Sequence, residues 1–303
     1  MNRRYVTVDV FTERPFGGNP LAVVLDAEGL TTAQMQSIAT EFNYSETTFV
    51  LPARELAHTA HVRIFTPKIE VPFAGHPNVG TAVVLAREWE ANGRAPVDRF
   101  VFEETAGLVS MRLLRDGGVV VGAELTAPER LSIRSSVSVN DAAACLSLAS
   151  SDITAAVHPP QVLSVGLPFL VVEVTSREAL RRAKPDLSAH ERILPPIGTD
   201  AIHAYVRGPG LGELHARNFA PLDATIEDPA TGSATAATIA LLASLQPERD
   251  IEFSWRIEQG VDMGRSSLLL GRTEKRDGIV TAVHVAGHAV PIMRGELLRH
   301  STR

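Results

Sequence analysis

The sequence predicts an α+β protein built as two similar lobes. Three observations carry that expectation. The chain has 303 residues, more than the roughly 100 to 200 of one typical domain. Short alternating apolar stretches outnumber helical patterns along it, and a period of two marks half-buried strands. Two loop-to-helix junctions also read alike. His76-Pro77-Asn78-Val79-Gly80-Thr81-Ala82 and Asp228-Pro229-Ala230-Thr231-Gly232-Ser233-Ala234 share the form polar-Pro-x-x-Gly-Thr/Ser-Ala, 152 residues apart (76 to 228). Self-similarity at about half the chain length points to duplication.

The elements follow in order. Tyr5 to Phe11 alternates as a strand, and Gly17-Gly18-Asn19-Pro20 turns the chain into an apolar run, Leu21 to Leu25. Thr31 or Thr32 caps a helix that carries Met35, Ile38, Ala39 and Phe42 on one face, and Asn43 ends it in a left-handed conformation. Ser45 to Leu51 and His61 to Thr66 read as strands. The loop from Pro72 to Asn78 feeds a buried apolar helix from Pro77 to Trp89, with Pro77 near its first position. Strands follow at Phe100 to Glu103, Val109 to Leu114 and Val119 to Leu125. Ala127-Pro128-Glu129-Arg130 breaks the pattern, which sets the lobes at residues 1–127 and 128–303, the last segment free to return to the first lobe.

The second half repeats this grammar. Val139 to Ala149 reads as a helix holding Cys145 among small apolar residues, a buried structural cysteine. Strands are expected at Val162 to Val165, Phe169 to Val174, His203 to Val206 and Glu213 to Phe219. A loop rich in Pro, Asp and Gly leads into an Ala-rich helix from Gly232 to Ala243. Four strands finish the chain: Ile251 to Glu258, Ser267 to Gly271, Val280 to Val285 and Ala289 to Met293.

Composition excludes several classes. Hydrophobic residues make up 45% and charged residues 21%, as in ordinary globular proteins. The net charge is −6, which argues against nucleic acid as a partner. No Lys/Arg-rich amphipathic face suggests a membrane partner. One cysteine makes neither an internal disulfide nor a Cys-rich zinc site, and it favours a reducing compartment. The N-terminus meets Asp9 before an apolar signal segment forms, so a cytoplasmic location is expected. Gly208-Pro209-Gly210-Leu211-Gly212 imitates a nucleotide fingerprint but opens no helix. His284 and His288 lie in strand-like sequence, which speaks against a metal pair.

If the lobes are related by a pseudo-two-fold, His76 and Asp228 face each other across a cleft, and each junction supplies helix N–H groups suited to a carboxylate. By residue chemistry alone, Glu46 is either a hydrogen-bonded structural carboxylate or an acid/base group. His76 and Asp228 are either caps or ligand contacts. Ser233 and the N–H groups around Gly232 either satisfy a first helical turn or hold a carboxylate.

Seven ordered stretches carry a family resemblance. They are Val8-Asp9-Val10-Phe11-Thr12, Phe16 to Val23, Asn43 to Val50, Phe65-Thr66-Pro67, Phe73 to Pro77 with Gly80-Thr81-Ala82, Glu227 to Ala234, and Gln259 to Arg265. The chain resembles the phenazine-biosynthesis PhzF-like isomerases. That resemblance implies a diaminopimelate-epimerase-like fold: two pseudo-two-fold lobes, each a β-sheet or barrel wrapped around a central apolar helix. It implies proton transfer by Glu46, with His76, Asp228, Ser233, Gly75 and Gly232 around the substrate, a homodimer, and neither metal nor organic cofactor. The substrate it implies is trans-2,3-dihydro-3-hydroxyanthranilate or another small cyclic or amino-acid-like carboxylate. A base that returns its proton as an acid works best with a pKa near the working pH, and burial beside Tyr44 and Phe49 would favour that.

Two other classes compete. A thiol-based racemase or epimerase of amino-acid-like substrates needs two cysteines, against the single Cys145. A non-catalytic small-molecule binding protein would have no use for an acid/base glutamate.

Overall fold

The computed structural model describes residues 2–223 and 225–298; Met1, Ala224 and residues 299–303, the ends of both expected lobes among them, lie outside the described residues. The chain divides into two compact units. Unit 1 comprises Met1–Thr126 with Ala286–Arg303, and unit 2 is Ala127–Val285.

Unit 1 contains β1 (Arg3–Val10), β2 (Asn19–Val24), α1 (Thr32–Phe42), β3 (Glu46–Leu51), β4 (Ala60–Phe65), β5 (Glu70–Val71), α2 (Gly75–Ala91), β6 (Arg99–Glu104), β7 (Gly107–Asp116) and β8 (Val119–Thr126). Local chemistry explains many of the boundaries. Thr31 and Gln34 form a reciprocal capping box at the start of α1, and Asn43 ends it at φ 52°. Gly117 and Gly118, at φ 53° and 85°, make the two-residue turn that joins β7 to β8.

The remaining elements belong to unit 2, except the end of the last strand. They are β9 (Ser132–Ser136), α3 (Val139–Cys145), β10 (Gln161–Ser164), β11 (Pro168–Glu173), α4 (Arg177–Arg182), α5 (Leu187–Ile193), β12 (Ile202–Arg207), β13 (Glu213–Ala220), β14 (Thr225–Asp228), α6 (Gly232–Ser244), β15 (Ile251–Gln259), β16 (Ser267–Arg276) and β17 (Ile279–Leu297).

The strands of unit 1 close on themselves. β1 pairs antiparallel with β2, β2 parallel with β3, and β3 antiparallel with β4. β4 runs parallel to β6, and β6, β7 and β8 follow antiparallel. β17 pairs with both β8 and β1, which completes an eight-stranded barrel. Inside runs α2, buried from Gly75 through Ala86. A helix apolar all round has no solvent face to offer, and enclosure by a sheet is the stable solution. Each fully buried Val or Leu contributes about 1.5–3 kcal/mol.

Unit 2 repeats the order. The β10–β11 hairpin is followed by helices α4 and α5, then β12 parallel to β11, β13 antiparallel, and the short β14. α6 comes next, then β15 parallel to β13 and β16 antiparallel to it. α6 is buried along almost its whole length and packs on β10, β11, β15 and β16. Each unit is therefore a β-sheet around a central helix, as expected.

The register of the internal echo is corrected. α2 begins at Gly75 rather than Pro77, and α6 at Gly232. Counted from these starts, His76 and Ser233 both hold the second helical position. Asp228 instead ends β14, before the helix. Other differences are local. The helix expected to reach Ala149 stops at Cys145, because Ser147 takes φ 53°. The last two expected strands are one, β17, bridged where Phe11 and Thr12 N–H donate to His288 O. Among the described residues, no helix is long and apolar enough to cross a membrane.

Candidate active site

In unit 1 the candidate residues meet at the start of the enclosed helix. Glu46 opens β3, in register with Leu21 on β2. His76 sits in the first turn of α2. Its Nε2 lies 3.5 Å from Glu46 Oε2, and the imidazole is 5% exposed. The first residue of α2 is Gly75, and its N-cap, Ala74, has no side chain able to accept from the first turn.

Two residues outside the expected set orient the imidazole. The Ser45 hydroxyl donates to Asn19 Oδ1 at 2.9 Å. That turns Asn19 Nδ2 toward His76 Nδ1, at 3.3 Å. An amide nitrogen only donates, so Nδ1 must accept and Nε2 carries the proton. The Nε2–H therefore lies on the Glu46 side of the ring, 3.5 Å from Oε2, without the geometry of a hydrogen bond between the two atoms. Burial lowers the His76 pKa to about 3, so at neutral pH Glu46 faces an N–H dipole rather than a cation. Asn19 is held by the turn before it, where Gly18 has φ 62°. A Cβ on Gly18 would lie 2.3 Å from Val10 O, so this turn requires glycine.

In unit 2 the candidate residues surround the start of α6. The N-cap is Thr231, not Asp228. The Asp228 carboxylate accepts a short hydrogen bond from the Thr231 hydroxyl. Gln259 binds the junction together: its Nε2 donates to Asp228 O at 2.8 Å and to Thr231 Oγ1 at 3.0 Å, and its Oε1 accepts from Thr231 N–H at 3.2 Å. Gly260 follows at φ 73°, where a Cβ would lie 2.4 Å from Arg265 O and 2.6 Å from Pro229 O. Gly232 is buried and Ser233 half-buried in the first turn.

The expected residues thus form two groups, Glu46, Gly75 and His76 in unit 1 and Asp228, Gly232 and Ser233 in unit 2. Asn19, Ser45, Thr231 and Gln259 fall outside the expected site residues although all four lie inside the resemblance stretches; for Asn19 and Gln259 the available signal is a polar side chain beside a required glycine, Gly18 and Gly260, and Ser45 and Thr231 carry no such signal. Unit 1 also carries an open hollow of about 1960 Å³, lined by Arg3, Asp26, Leu30, Trp89 and Arg94 among others, and none of the candidate residues lines it.

The remaining sequence signals have structural explanations. Cys145 is buried in an apolar cluster with Leu146, Leu180 and Phe219, and burial pushes its thiol up to about 11. His284 and His288 each face their own carboxylate, Glu274 at 3.2 Å and Glu13 at 2.9 Å. The Gly208–Gly212 loop joins β12 to β13, with Gly208 N–H donating to Glu213 O.

Comparisons with known proteins agree with one another. The family model described as phenazine biosynthesis-like protein, PhzC-PhzF, matches residues 8–295. An uncharacterized isomerase from Mesorhizobium japonicum is 39% identical over 97% of this chain and 98% of its own. A trans-2,3-dihydro-3-hydroxyanthranilate isomerase from Pseudomonas chlororaphis is 36% identical over 97% of this chain and 99% of its own. The crystal structure of a Bacillus anthracis phenazine biosynthesis protein of the PhzF family superposes with a TM-score of 0.87, at 26% identity, over 99% of this chain and 100% of that one.

Proposed function

The chain belongs to the phenazine biosynthesis-like PhzC-PhzF family, and on that premise we propose that it is an isomerase moving a proton between carbons of a small cyclic or amino-acid-like carboxylate. The observation that carries this reading is the Glu46–His76 contact with a defined tautomer. Glu46 takes a proton from carbon as its C–H bond breaks. The electron pair shifts into the conjugated system, and the same carboxyl returns the proton to a second carbon, so atoms and charge balance without an oxidant. His76 Nε2–H, beside the Glu46 carboxylate, donates toward charge that develops on a substrate heteroatom. Asp228 accepts from a substrate amino group, and Ser233 with the N–H groups at Gly232 binds its carboxylate.

Trans-2,3-dihydro-3-hydroxyanthranilate is the first substrate to test, because relatives at 34–36% identity carry that activity in their names. A time-dependent change in its ultraviolet spectrum, absent with Glu46→Gln, supports the proposal. An active Glu46→Gln variant would sink the assignment. A thiol-based epimerase mechanism is disfavoured by the burial of Cys145, the one cysteine of the chain.

A further inference from the structure

We propose that Arg217 is a positioning residue for Asp228: through a two-pronged ion pair with Glu227 it fixes the end of β14, and so the direction in which the Asp228 carboxylate meets the amino group of a substrate. The inference rests on the reading of Asp228 above.

Strand geometry divides the groups. Arg217 and Asn218 are consecutive on β13, so their side chains leave opposite faces. Asn218 is in register with Asp228, on the face away from Arg217. Glu227, one residue before Asp228, falls on the Arg217 face. The contacts agree: Arg217 Nε and Nη2 donate to Glu227 Oε1 and Oε2 at 2.8 and 2.7 Å.

The rest of the guanidinium is committed as well. Nη1 donates to the carbonyls of Leu180, Arg181 and Ala183 at 3.0, 3.1 and 2.8 Å, at the last turn and C-cap of α4. The guanidinium carbon lies 4.8 Å from the centre of the Phe219 ring, two residues along the same face of β13. Arg217 is 8% exposed. A cation this deep needs a carboxylate and further acceptors in place of its lost hydration. Lysine would not reproduce the arrangement, because its ammonium is a point charge with no planar fork to span Glu227 and the helix end together.

β14 needs such an anchor. It is four residues long, and its register with β13 shifts between Asn218 and Ala220, which disrupts the ladder locally. Side chains supply further hold on both sides of the Asp228 Cα. Arg217 grips the Glu227 carboxylate before it, and Gln259 Nε2 donates to the Asp228 carbonyl after it at 2.8 Å. The direction of the Asp228 carboxylate follows from both anchors.

The test has two arms, run on Arg217→Lys and Glu227→Gln, since Arg217→Ala would leave a buried carboxylate unpaired and destabilise the unit. In the substrate-free protein, carbon-13 NMR of the side-chain carboxyls identifies Asp228 by the resonance missing in Asp228→Asn. Arg217→Lys keeps the positive charge and should still move that resonance; an unmoved resonance would overturn the proposal. With trans-2,3-dihydro-3-hydroxyanthranilate as substrate, Arg217→Lys should raise KM about tenfold, the worth of one hydrogen bond to a charged group, with kcat within about threefold. Glu227→Gln keeps an acceptor for the fork and should fall between Arg217→Lys and the wild type. In an Asp228→Asn background, Arg217→Lys should leave KM unaltered, because the group it aims is already gone. A merely structural pair would lower thermal stability in both backgrounds with no KM effect tied to Asp228. An unchanged KM in Arg217→Lys, or a KM effect that persists in Asp228→Asn, would overturn the proposal. If the wild type turns nothing over, the isomerase reading fails, and the NMR arm still decides this one.

Discussion

Asn19 Nδ2 donates to His76 Nδ1 at 3.3 Å across 57 residues of sequence, and that contact determines which face of the imidazole carries a proton. Replacing Asn19 by Asp reverses it. A carboxylate accepts from Nδ1–H, leaving a lone pair on Nε2 toward Glu46. In a Ser-His-Asp triad the wrong tautomer costs about 10⁴ in kcat. We expect Asn19→Asp to lose on the order of 10² to 10⁴ in kcat with a smaller change in KM. Nitrogen NMR of the His76 ring is the direct check, and Nδ1–H in the wild type would end the argument.

Glu46→Gln should leave folding and ligand binding nearly intact while removing turnover. Gln is almost isosteric but takes no proton from carbon. The expected loss is at least about 10² to 10⁴, the usual contribution of a general acid–base group. Thermal unfolding and a binding titration run beside the rate assay separate lost chemistry from lost structure.

Cys145→Ala should keep near-normal activity. The thiol is buried, with its pKa pushed up to about 11, so it should also resist alkylation in the native protein and react on unfolding. Removing one buried sulfur costs on the order of 1 kcal/mol. Rapid labelling of folded protein, or lost turnover in a well-folded variant, would contradict this.

Stability against pH should reflect two buried groups with opposite signs. Glu104 moves from an ordinary 4.5 to about 8 in the fold. The native state then binds more protons than the unfolded state, and stability falls as pH rises through that window, by at most about 1.4 kcal/mol per pH unit. His76 moves from 6.5 to about 3. Here the unfolded state binds the extra proton, so stability is lost as pH falls from 6.5 toward 3. Between 4.5 and 6.5 the two oppose each other. Denaturant unfolding should show Glu104→Gln flattening the decline above about pH 6.5. An unchanged slope there would mean Glu104 is ionised in the native protein.

Much of the fold was legible because its signals are local. The Thr31 cap and the Asn43 stop lie within residues that α1 itself contains or touches, and alternation reports β6, β7 and β8 from contiguous side chains. The misses lack such signals. α2 starts two residues before Pro77 because its N-cap is Ala74, which offers no capping side chain. β14, inside a stretch read as loop, becomes a strand by pairing with β13.

The same division holds at the site. Two loop-to-helix junctions, one cysteine and an ordered set of motifs containing Glu46, His76, Asp228 and Ser233 can be read from the residues alone, because residue type and spacing survive without a fold. The tertiary structure alone decided that Asn19 and Ser45 set the His76 tautomer and that Gln259 ties Asp228 to Thr231. Those relationships depend on barrel closure and strand register, which bring together groups far apart in sequence. A group's proton affinity follows from the burial that only such closure creates.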